Sequence, residues 1–158
     1  MHKVKIAEWA AAAAPARIAT IGLGSCVAIV LYDAKARVGG LAHVLLPAPT
    51  SVRDGEQPGR FPASAVPRLL DDMRKLGANG TITARLVGGA SLFGTMLTRE
   101  GAGAIGERNI EASRAALAAA RVRVIGEAVG GTAGRSVYLD VGTGRLDVRS
   151  MRDGDRVL

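Results

Sequence analysis

The stretch Ile18–Pro47 constrains the fold more than any other part of the chain. Ile18–Tyr32 is apolar and rich in β-branched residues, with Gly22 and Gly24 interrupting it. Asp33–Ala36 has turn composition, and Arg37–Leu46 is strand-like again until Pro47 stops it. Two such runs joined by a short polar turn read as an antiparallel hairpin. A four-residue loop at Asp33–Ala36 pairs Tyr32 with Arg37. Counting outward sets Val30 opposite Gly39, Ala28 opposite Leu41 and Cys26 opposite His43. Opposed residues share a face, with Cβ atoms about 5 Å apart. A slip of one residue would separate the pair.

The rest of the chain fits around this hairpin. Val4 and Ile6 suit a short strand, and Ala10–Pro15 reads as a connector. Pro49–Phe61 is polar and broken by Gly55, Pro58 and Gly59, so it reads as a loop. Ser64 can cap a helix to about Leu76, with Val66, Leu69, Leu70, Met73 and Leu76 as its apolar stripe and Gly77 as its stop. A second helix opens near Asn109 and runs to about Ala120. Thr81–Val87, Val122–Val129, Ser136–Val141 and Arg145–Arg149 read as strands, and Gly142-Thr143-Gly144 as the turn joining the last two. Two helices among seven or so strands make the fold class α/β (α+β): layered, mixed and largely antiparallel sheets flanked by two main helices. With 158 residues and neither internal repeat nor linker, residues 1–158 are expected to form one domain.

Composition narrows the function. Cys26 is the only cysteine, so no internal disulfide is available and nothing points to an oxidising compartment. The Ala10–Ala14 run behind Lys3 and Lys5 superficially resembles a signal peptide. Glu8 and the weak apolarity of alanine argue against it, and no stretch reaches the length of a membrane span. A soluble, cytoplasmic protein is expected. The net charge of +7 favours an acidic partner. Nucleic acid is not indicated: the arginines are scattered and almost no aromatic side chains lie between them.

The chemistry centres on Cys26. By itself a lone cysteine is a small buried hydrophobe, and a lone histidine is a core or edge residue. Facing each other they become a candidate nucleophile and base, because the thiolate is the reactive species and an imidazole can take its proton. Gly39, Gly40 and Ala42 leave room beside the pair. Thr20 would lie about 20 Å from Cys26 on a straight strand. A bend at Gly22 and Gly24 could return Thr20 to the pair, or Thr20 could be an ordinary strand residue; the residues alone leave both open. The same bend exposes the N–H groups of Ser25 and Cys26 as a candidate oxyanion hole. Other motifs fail. Gly22-Leu23-Gly24-Ser25-Cys26-Val27 lacks the third glycine of a dinucleotide loop, no phosphate loop occurs, and two histidines with one cysteine make a metal site improbable. No cofactor is implied.

Two blocks then carry a family resemblance. Thr20-Ile21-Gly22-Leu23-Gly24-Ser25-Cys26-Val27-Ala28 resembles the signature of CheD, the chemoreceptor glutamine deamidase family, and Gly39-Gly40-Leu41-Ala42-His43-Val44-Leu45-Leu46-Pro47 resembles its second block. Val87-Gly88-Gly89-Ala90 and Ile105-Gly106-Glu107-Arg108-Asn109 are similar to later, less specific blocks. The resemblance implies a catalytic Cys26–His43–Thr20 trio, while Gly22, Gly24 and Ser25 keep the loop-supporting place that the bend before Cys26 gives them. It implies a fold related to the deamidase domain of cytotoxic necrotizing factor toxins. It further implies, as partners, the cytoplasmic helical region of chemoreceptors and a CheC-type phosphatase, with membrane contact only through receptors. Ser91-Leu92-Phe93 departs from the family's frequent Asn-Met-Phe. A chemotaxis adaptor with little catalysis, and hydrolysis of another amide or a receptor methyl ester, are the competing readings.

Overall fold

Strand β4 (Val27–Asp33) is buried at all seven positions. Its sequence shows no polar–apolar alternation because both of its faces are covered. A computed structural model, which describes residues 1–91 and 102–158, shows what covers them. In chain order the other elements are β1 (His2–Lys3), β2 (Trp9–Ala13), β3 (Arg17–Leu23), β5 (Val38–Val44), the one-turn helix α1 (Val52–Gly55), α2 (Pro62–Lys75), β6 (Ile82–Gly88), α3 (Ala102–Ala119), β7 (Arg123–Val129), β8 (Arg135–Asp140), β9 (Leu146–Arg149) and β10 (Arg156–Val157). Among the described residues they form two five-stranded sheets. The inner sheet has the order β2-β5-β4-β6-β7 and the outer sheet β1-β3-β8-β9-β10. Only β6–β7 and β1–β3 pair in parallel.

The layers follow from the period-2 geometry of β4. Val27, Ile29 and Leu31 point to one face of the inner sheet and pack with Val66, Leu69 and Met73 of α2 and Leu117 of α3. Ala28, Val30 and Tyr32 point to the other face and meet Ile18, Val137 and Leu139 of the outer sheet. The architecture is therefore helices, inner sheet, outer sheet. The expected mixed, largely antiparallel class with two main helices is what the structure shows.

Several sequence expectations need correction. β4 and β5 do form a hairpin, but Asp33 pairs with Val38 and Ala28 with His43. The four-residue loop sits at Ala34–Arg37, one position later than expected. The cause is Asp33, which is buried as the last paired residue. Its carboxylate accepts the N–H groups of Lys35 and Ala36, and of Asn79 and Gly80 from the next connection. Arg37, at φ 53°, completes the turn. Ile18–Tyr32 is not one bent strand: β3 belongs to the outer sheet and β4 to the inner one.

Trp9–Ala13 is a strand, not a connector. It pairs with β5 from Trp9↔Ala42 to Ala13↔Val38, a case of tertiary pairing overriding the low strand propensity of alanine. The expected room beside Gly39 and Gly40 is filled: a Cβ on Gly40 would lie 2.6 Å from Leu69 Cδ1, and one on Gly39 2.9 Å from Leu139 Cδ2. Helix α2 starts at Pro62, and the Ser64 hydroxyl donates to the Pro58 carbonyl instead of capping. Helix α3 begins well before Asn109, at Ala102. Of the Ser91-Leu92-Phe93 departure, Leu92 and Phe93 lie outside the described residues.

Candidate active site

Cys26 stands immediately before β4, His43 near the end of β5 and Thr20 in β3. Because Ala28 opposes His43, Cys26 is a diagonal neighbour of the histidine rather than its direct partner. The two-residue difference preserves parity, so Cys26 and His43 share the face turned toward the outer sheet. Thr20 approaches from that outer sheet. Thr20 and His43 touch across the inter-sheet layer, and Cys26 belongs to the cluster that fills it; the three do not lie along one bent strand.

One contact defines the centre. The Thr20 hydroxyl donates to the Val4 carbonyl at 2.6 Å and lies 2.7 Å from His43 Nδ1. A hydroxyl has one proton to donate. With that proton on the Val4 carbonyl, the oxygen accepts from Nδ1, which must carry the imidazole hydrogen. The second nitrogen, Nε2, is then unprotonated. Nε2 is buried and has no hydrogen-bond partner among the described residues. No Cys26–His43 hydrogen bond is formed. The imidazole is 1 % exposed, and burial lowers its pKa from 6.5 to about 4. Burial pushes the Cys26 thiol up, with its own backbone N–H acting in the opposite direction. Both groups are therefore neutral at neutral pH, so the imidazole is free to take the thiol proton.

The loop before Cys26 is pinned by its carbonyls. A β-bulge interrupts the β3–β8 ladder between Thr20 and Leu23, with Gly22 at φ +76°, a conformation that disfavours side chains. The chain then bends at Gly24 and Ser25. The Gly24 carbonyl accepts from Ala90 N and the Cys26 carbonyl from Gly89 N. The Ser25 carbonyl accepts from Asn109 Nδ2 at 2.9 Å, and the same amide donates to the Leu45 carbonyl at 3.0 Å. In a trans peptide the N–H points opposite to the C=O. With those carbonyls turned inward, the N–H groups of Ser25 and Cys26 are directed away from Asn109 and Ala90.

Asn109 is a buried residue beside the candidate site whose contacts its sequence did not reveal. It is fully buried, and it ties the loop before Cys26 to the chain just past His43. Its type suggested a helix cap, and only its place in the fourth family block hinted at more. Helix α3 can reach the loop because Gly106 permits close approach: a Cβ there would lie 2.5 Å from the Gly89 carbonyl oxygen. Among the described residues no group of three His, Cys, Asp or Glu side chains could hold a metal ion. Among the described residues no helix is long and apolar enough to cross a membrane.

Fold and site together define a layered α/β protein with a buried cysteine beside a tautomer-fixed histidine. The family description "CheD chemotactic sensory transduction" matches residues 45–150. A probable chemoreceptor glutamine deamidase CheD from Desulforamulus reducens is 36 % identical over 150 residues, covering 94 % of this chain and 90 % of the relative. The probable chemoreceptor glutamine deamidase CheD 2 of Geobacter metallireducens is 41 % identical, covering 94 % and 93 %. The corresponding protein of Thermococcus kodakarensis is 39 % identical, covering 96 % and 94 %. The chain belongs to the CheD family.

Proposed function

We propose that residues 1–158 form a single deamidase domain that converts glutamine side chains of methyl-accepting chemoreceptors to glutamate in the cytoplasm. The relatives' names supply the substrate class. The observation that carries the mechanism is the Val4–Thr20–His43 hydrogen-bond chain, which leaves Nε2 as an unprotonated acceptor on the face shared with Cys26.

In this mechanism Nε2 takes the Cys26 proton as the sulfur attacks the carboxamide carbon. A neutral resting pair makes proton transfer part of the attack, not a step before it. The N–H groups of Ser25 and Cys26 receive the developing oxyanion, and Gly22 and Gly24 allow the loop that presents them. The imidazolium returns its proton to the departing ammonia, leaving a thioester. Nε2 then deprotonates water, which cleaves the thioester and restores the thiol. Thr20 orients the ring, as the third member of a protease triad does, but as a neutral acceptor. No cofactor takes part. The cytoplasmic helical region of the receptor is the substrate, and a CheC-type phosphatase is a second partner.

The test is mass mapping of receptor fragments incubated with the protein. Cys26→Ala is expected to reduce glutamine conversion to background, at least about 10³-fold. Conversion at the wild-type rate by that variant overturns the nucleophile assignment and places the chemistry elsewhere, whereas absence of conversion by the wild type favours the adaptor reading. Rapid alkylation of Cys26 does not separate these readings, because the thiol pKa is raised in the free protein.

A further inference from the structure

Two grooves meet beside the site. The first, of about 490 Å³, has Thr20 and His43 at its floor and Lys3, Lys5, Ile6 and Ile21 around it. The second, of about 380 Å³, continues from Ile21 and Gly22 to Arg149, Met151 and Arg152. Ile21 belongs to both. Ile6, Ile21 and Met151 are exposed, Met151 completely. Large apolar side chains grouped on one exposed surface mark contact sites.

The charges are one-sided. Lys3 and Lys5 flank one groove and Arg149 and Arg152 the other. Among the described residues, the single acidic side chain lining either groove, Glu8, accepts the backbone N–H of Lys5 at 3.1 Å. Cations interleaved with apolar anchors fit a partner that is both acidic and amphipathic.

We infer that this double groove seats an acidic amphipathic helix of the receptor, with the target glutamine lowered beside Ile21 toward His43. The inference rests on the deamidase reading and adds the binding surface to it. A helix about 10 Å across lying along the grooves carries its glutamine near Ile21. Acidic residues before and after it then meet Lys3 and Lys5 on one side and Arg149 and Arg152 on the other. Apolar residues at helical spacing cover Ile6 and Met151.

The probe is the cytoplasmic fragment of a receptor from the same organism. Lys3→Glu/Lys5→Glu is compared with Arg68→Glu/Lys75→Glu, which makes the same charge change on exposed positions of α2, across the inner sheet. At low salt the groove variant is expected to lose about tenfold or more in kcat/KM and the α2 variant less than about twofold. Met151→Asp is expected to lose about threefold to tenfold. Iodoacetamide labelling of Cys26 at wild-type rate in each variant shows an intact site. Equal losses in the two charge variants, or no loss in either, overturn the groove. Calorimetric binding of the fragment to Cys26→Ala, with and without the groove substitutions, reads the same surface without turnover. Weakened binding by Lys3→Glu/Lys5→Glu supports the groove even if the deamidase reading fails, and unchanged binding sinks the groove even if that reading stands.

Discussion

The β4–β5 hairpin buries a polar side chain near each end, and the two are treated in opposite ways. At the turn, Asp33 is fully buried and its carboxylate accepts four backbone N–H groups. Burial acts to raise its pKa, and those four donors outweigh it, so the group titrates below its ordinary value. At the open end, His43 is equally buried, but only Nδ1 is bonded. Nothing offsets the burial, and its pKa falls to about 4. A buried polar group with every bond made closes a turn; one with a bond left open is a place where something else can bind or react.

The comparison breaks first under acid, in two separate windows. For His43 the unfolded chain takes up a proton near pH 6.5 and the folded protein near pH 4. Between these values the unfolded state binds more protons, so stability falls as pH falls. The total over the window is about 3 kcal/mol. Asp33 has the opposite charge type. Its contribution is present above its ordinary value of 3.8 and is lost only as the pH drops further. Urea unfolding at pH 7 and pH 4.5 is expected to show most of the 3 kcal/mol loss in the wild type and little of it in His43→Asn. An equal loss in both would assign the acid sensitivity elsewhere.

How much of this was legible in the sequence differs between the two ends. The open end was readable in kind: Cys26 and His43 share a face because misplacing the turn by one residue shifts each pairing by two and keeps parity. The turn end was misplaced because Asp33 looks like a loop residue. Only its bonds to Asn79 and Gly80, 46 and 47 positions away, make it the last paired residue. Thr20 could not be placed from its segment, since nothing local says that β3 and β4 join different sheets. The alanine strand β2 was invisible because its only strand signal is the partner it pairs with. Asn109 was hidden by its residue type, which suits a helix start as well as a clamp.

Thr20 gives the next largest effect and sharpens what the open end requires. Thr20→Val keeps the branched shape but removes the acceptor that fixes the Nδ1–H tautomer. A loss of about 30-fold in kcat is expected, near 2 kcal/mol. Thr20→Ser keeps the hydroxyl and should stay within about threefold of the wild type. If valine and serine variants lose equally, the methyl packing of Thr20 matters and its hydrogen bond does not.

Asp33→Asn gives the smallest effect on activity and the cleanest control. The amide keeps the volume and retains one acceptor oxygen, but it places an NH₂ against two of the four N–H donors. A destabilisation of about 1–3 kcal/mol is expected, from backbone donors left unpaired in a buried site. Because the hairpin holds its register along seven pairs between this turn and the open end, the site geometry should survive. Labelling of Cys26 and kcat/KM on a receptor fragment are expected within about twofold of wild type under conditions where the variant remains folded. A large activity loss with little change in the unfolding midpoint would mean that the turn and the open end are coupled. The satisfied carboxylate would then set the alignment of β4 against β5 that brings Cys26 and His43 onto one face, and the two ends would have to be treated as one site.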